Sequence, residues 1–106
     1  TMNDPQWVEA ARQLGGRAIK AAPAAGERLD FLARATIARP LEPRESAVLT
    51  KALEKFQASF AADESEVKAL LAVGESKSDE SIPPVEAATW AMVASQFLNL
   101  DEFLTK

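Results

Sequence analysis

Six prolines cut the chain at Pro5, Pro23, Pro40, Pro43, Pro83 and Pro84. A proline has no N–H to give a helix or sheet interior, and it pushes the preceding residue out of the helical region. Each proline therefore marks a border and not a middle. Between the borders the 106-residue chain holds 21 alanines, only 4 glycines and no tyrosine, a filling that favours helices over strands. The pattern predicts an all-α fold: a single compact domain of about five helices over 1–106, bundle-like. The 29 larger apolar residues suffice for one modest core.

The first helix is expected to begin after Asn3 or Asp4, with Pro5 in its first turn, where a missing N–H costs nothing. Trp7, Val8, Ala11, Leu14, Ala18 and Ile19 form its buried stripe. Gly15-Gly16 inside it means either a weak helix or a second helix approaching closely. Around Pro23 the chain turns, and a second helix is predicted from about Ala25 to Ala38, using Leu29, Leu32, Ala33 and Thr36, with Phe31, Ala35 and Ala38 beside them. Arg39-Pro40-Leu41-Glu42-Pro43 reads as a stiff corner. A third helix follows from Pro43 to about Phe60, carried by Val48, Leu49, Ala52, Leu53, Phe56 and Phe60. Asp63-x-x-Glu66 opens a short fourth helix with Val67, Leu70 and Leu71, closed by Gly74. Residues 74–82 have the composition of an exposed, mobile loop. Pro83-Pro84 sets up the last helix, to Leu98 or beyond, with Trp90, Val93, Ala94, Phe97 and Leu100 buried. The apolar positions do not repeat at the 34-residue spacing of tetratricopeptide arrays.

The residue types absent from the chain narrow its chemistry. With no cysteine and no histidine, this chain has no thiolate nucleophile, zinc–sulfur site, Ser-His pair or axial histidine. No apolar run approaches the ~20 residues that span a bilayer. The opening Thr1-Met2-Asn3-Asp4-Pro5 reads as an artificial start, so it says nothing about targeting. Asp63-Glu64, Asp79-Glu80 and Asp101-Glu102 are sequence neighbours that point to different helix faces, so none forms an acid/base pair. No catalytic, cofactor-binding or metal-binding residue is assigned. Net charge is −4, which argues against nucleic-acid binding. Residues 1–55 carry nine basic and seven acidic groups, whereas residues 56–106 carry three and nine. All six arginines lie in the first half, available to acidic groups of a partner or of the second half.

The run from Phe97 to Lys106 is the most distinctive segment. Asn99 and Asp101 can bond to nearby backbone, while Leu100, Phe103 and Leu104 supply apolar anchors. It reads as a tail after the helix, either folded back to close the core or docking onto another domain. The candidate interaction residues are therefore Leu100, Phe103, Leu104 and Asp101, together with Arg34 and Arg39.

Two stretches, "MNDPQWVEAARQLGGRAI" (Met2 to Ile19) and "WAMVASQFLNLDEFLTK" (Trp90 to Lys106), resemble the end of large planctomycete proteins. Those proteins join a cytochrome c-type domain to planctomycete-specific domains of unknown function. "RLDFLARATIARPLEPRESAVLTKALEKF" (Arg28 to Phe56) is similar to the same family's helix, Arg-Pro corner and Pro-Glu-initiated helix. The chain departs at Gly15-Gly16, where the family uses helix formers. The resemblance implies the C-terminal part of such a domain, in an exported or periplasmic multidomain protein. Haem c would sit only in upstream domains, because the family's Cys-x-x-Cys-His motif is not in this chain.

Together these observations set one leading expectation: a non-catalytic helical accessory or interaction domain packed against upstream domains of the same polypeptide. It would have no direct membrane insertion and no nucleic-acid partner. The alternative is a contributor of carboxylates or arginines to a composite active site of a redox or carbohydrate-processing enzyme. A peptide-binding helical scaffold is a third reading and requires an exposed apolar groove.

Overall fold

Pro5 stands in the first turn of α1 (Pro5–Ala21), and Asp4 caps that turn by accepting from Gln6 N–H at 2.9 Å. The computed structural model describes residues 4–74 and 79–105, with side chains described as far as 101. α2 (Ala25–Thr36), α3 (Pro43–Ala62), α4 (Glu64–Leu71) and α5 (Pro84–Thr105) complete an all-α fold, with no strand among the described residues. None of these helices is long and apolar enough to cross a membrane, among the described residues.

α5 is the axis of the domain, and each of the other four helices packs against it. Ala88, Thr89, Trp90, Ala91, Val93, Ala94, Ser95 and Phe97 are all buried, so α5 is covered on nearly every side over this stretch. On one side it meets Leu14 and Ala18 of α1, Leu29, Leu32 and Ala33 of α2, and Leu49 and Leu53 of α3. A smaller cluster joins Phe60 of α3 and Val67 of α4 to Ala88. The alanines that made the sequence look thin in apolar bulk let helices approach closely here.

α1 runs antiparallel to α5: Trp7 Nε1 donates to Ser95 Oγ at 3.0 Å, while Gly15 lies against Trp90 and Ala91. A Cβ on Gly15 would come within 2.6 Å of the Trp90 carbonyl oxygen, so the glycine is required by a close helix crossing. Gly16 has no such neighbour and is merely tolerated.

The corner is tied by Arg39, whose two terminal nitrogens meet Glu45 Oε1 and Oε2 at 2.8 and 2.9 Å. Glu45 Oε1 also accepts from Glu42 N–H at 2.9 Å, capping α3. Asp63 Oδ1 accepts from the N–H groups of Ser65 and Glu66, opening α4 in the same manner. Beyond α4, Val73 O accepts from Arg12 Nη1 of α1, and Gly74 adopts φ +90° against the Glu9 side chain.

Several expectations need correction. α2 stops at Thr36, not Ala38, because the N–H groups of Ile37 and Ala38 both turn onto Ala33 O and Ala38 swings to φ +58°. α3 continues two residues past Phe60. Val48, expected in the core, is 63 % exposed, because α3 presents a narrower apolar face than its run of apolar residues suggested. Positions 75–78 of the expected loop lie outside the described residues. The described part that follows is anchored: Ser81 N–H donates to Asp79 Oδ1, Lys20 pairs with Asp79 at 2.6 Å, and Ile82 is buried. Finally, the C-terminal run does not fold back as a tail, since α5 continues through it to Thr105.

Candidate functional site

Trp90, Val93, Phe97, Leu100 and Leu104 are spaced three, four, three and four apart, which places these positions along one side of α5. The first three are at most 4 % exposed. Cover then thins: Leu100 and Asp101 are half-buried. The Trp7–Ser95 hydrogen bond fixes why. α1 begins at Pro5, two residues before Trp7, while α5 still has ten residues to run after Ser95. At ~1.5 Å per residue, α5 outruns the first turn of α1 by roughly 10 Å. Phe103 and Leu104 lie on the helical backbone, but their side chains are outside the described residues.

The other two candidates sit elsewhere. Arg34 is exposed and lines a groove of about 540 Å³ between α1 and α2, with Arg17, Glu27, Asp30 and Phe31. The Arg17 guanidinium stacks over the half-buried Phe31 ring, 5.6 Å from its centroid. Glu27, Asp30, Phe31 and Arg34 share one face of α2 by their spacing. Among the described residues, none of α5 lines this groove. Arg39 is engaged with Glu45 in the corner, and it also donates to Pro40 O. The structure therefore does not unite the six candidates; it divides them among a helix end, a groove and a structural ion pair.

The electrostatics follow the same division. The Arg39 hydrogen bonds, aided by the Glu42 N–H, hold the Glu45 carboxyl at about 2, well below its ordinary 4.5. Arg39 is raised in turn. The Lys20 ammonium, followed by the Ser81 hydroxyl, pulls Asp79 down. Asp63 is lowered first by the Ser65 hydroxyl and then by the Glu66 N–H. Each of these carboxylates is held ionised by a cap or a cation, the opposite of what a general acid needs.

Arg28, one of the six arginines offered to acidic groups of the second half but not singled out among them, finds such a partner. Its Nε donates to Ala22 O, the capping residue at the end of α1, at 2.7 Å, and its Nη1 meets Glu86 Oε1 in the first turn of α5 at 2.7 Å. The guanidinium also lies 5.4 Å from the centroid of Trp90. Both carbonyl and carboxylate are well placed for it: a cation suits the end of α1, and an acid suits the start of α5.

No family model matches the chain, and neither the curated proteins nor the solved structures contain a match.

Proposed function

We propose that this chain is a non-catalytic helical accessory domain that docks, through the end of α5, onto upstream domains of its own polypeptide. The observation that supports the reading is the apolar stripe of α5: it is closed over by the domain's own helices as far as Phe97 and then runs on through Leu100 beyond the start of α1. Buried apolar area is the main favourable term in such a contact, and a helix end presenting anchors at three- and four-residue spacing suits a groove on a partner. Asp101 supplies a charge at the rim, where it would steer and orient more than bind.

The resemblance of the Met2–Ile19, Arg28–Phe56 and Trp90–Lys106 stretches to planctomycete cytochrome c-domain proteins supplies the partner. On this reading the parent protein is exported, and any haem c belongs to upstream domains. A composite catalytic site is the weaker reading, since the perturbed carboxylates Glu45, Asp63 and Asp79 are tuned away from proton donation.

The test is the triple change Leu100→Ser, Phe103→Ser, Leu104→Ser. The isolated domain is expected to keep its helical circular dichroism and cooperative melting, while its affinity for the upstream domains falls at least tenfold in calorimetry. Loss of the fold instead would make these residues core, and retained affinity would remove them from the interface.

A further inference from the structure

The groove between α1 and α2 carries four charges that the chain itself does not pair. Arg17, Glu27, Asp30 and Arg34 line it and are all exposed, and none has an ion-pair partner among the described residues. Elsewhere the chain does pair such groups: Arg28 meets Glu86, Arg39 meets Glu45 and Lys20 meets Asp79. Among the four charges lies Phe31, half-buried, with the Arg17 guanidinium 5.6 Å from its ring centroid. Ala21 and Ala35, both exposed, complete the lining, and side chains this small let another helix come close.

The order of the charges along α2 says what fits there. Its outward face reads Glu27, Asp30, Phe31, Arg34, with the acids toward the start of the helix and the base toward its end. A face whose two signs lie at opposite ends is complementary to a copy of itself turned end for end. A second chain packed with its α2 antiparallel, about a two-fold axis passing between positions 30 and 31, brings Glu27 of each copy opposite Arg34 of the other. The Phe31 rings then lie beside the axis. Asp30 faces the other copy's ring, where Arg17 sits. A parallel arrangement would set acid on acid and base on base.

We infer that the α1–α2 groove is the contact surface of a two-fold dimer of this chain, in which Glu27–Arg34 and Asp30–Arg17 pairs close around two Phe31 rings. The face covers two turns of one 12-residue helix, so the dimer is weak and reversible, with Kd between about 10 μM and 1 mM. Arg17 lies toward the end of α1, whereas α5 outruns its start, so the surface is separate from the docking end of α5.

The test is self-association of the 15N-labelled chain, diluted from about 1 mM and followed by amide shifts and sedimentation equilibrium. The mass should rise toward that of two chains, with concentration-dependent shifts centred on Arg17, Glu27, Asp30, Phe31 and Arg34. Glu27→Arg and Arg34→Glu should each weaken association by about tenfold or more, because either change puts like charges opposite one another twice. An equimolar mixture of the two variants should associate again, since every acidic position then meets a basic one. Arg44→Glu and Glu54→Arg, at exposed positions of α3, change net charge equally and should leave association as it is. The inference is overturned by a single-chain mass with unchanged spectra throughout the dilution, by full association of either α2 variant, by no recovery in the mixture, or by equal loss in the α3 variants. The dilution of the parent chain decides the matter even if a variant fails to fold.

Discussion

Gly15 and Gly16 are neighbours in sequence with opposite roles. Alanine at Gly15 drives its Cβ into the Trp90 and Ala91 backbone, which no side-chain rotation relieves. Gly15→Ala is therefore expected to cost about 1–3 kcal/mol despite its better helix propensity. Gly16→Ala meets nothing within 4 Å and should gain about 0.5–1 kcal/mol. Urea midpoints of the two variants, measured side by side, check both signs. Ala38 offers a third case, since an exposed alanine at φ +58° sits where L-residues are strained by about 1–2 kcal/mol. Ala38→Gly relieves that strain and adds freedom to the unfolded chain, so a net gain of up to about 1 kcal/mol is expected from the same assay.

At the scale of elements, borders were legible and destinations were not. Pro5, Pro43 and Pro84 each open a helix, as their missing N–H groups and fixed φ require. The run after Phe97 was misread because Asn99 and Asp101 resemble turn residues, yet here the helix simply continues through them. Arg28 had no local signal to separate it from the other five arginines, because its partner Glu86 lies 58 positions away. α5 itself should be the most sensitive element: Trp90, at 4 % exposure, touches α1 and carries Arg28 on its ring. Trp90→Ala is expected to cost about 3–5 kcal/mol in denaturant unfolding. The corner between α2 and α3 should respond to acid. Glu45 is lowered in the fold, so its contribution is complete above its ordinary 4.5 and is lost as pH falls toward about 2. Stability should therefore decline between these values, and Glu45→Gln should flatten that decline in urea unfolding followed against pH.

For the molecule as a whole, α5 sets the shape. A 22-residue helix is ~33 Å long, and the longest dimension of the domain is 34 Å. The other helices wrap this rod along most of its length, which explains why its sequence is apolar on nearly every side in the middle and why cover has thinned by Leu100, which is half-buried. All-α architecture, helix number and most core positions were legible from proline spacing and apolar period. The three-way division of the candidate residues was not, since it depends on which helices meet. Amide-resolved NMR of this chain, titrated with the upstream domains that the docking proposal assigns to its polypeptide, tests that proposal most directly. Shifts concentrated at Phe97–Thr105 and on the adjoining first turn of α1 are the predicted result. Unchanged spectra at high concentration, or shifts confined to the Arg17–Arg34 groove, would contradict it.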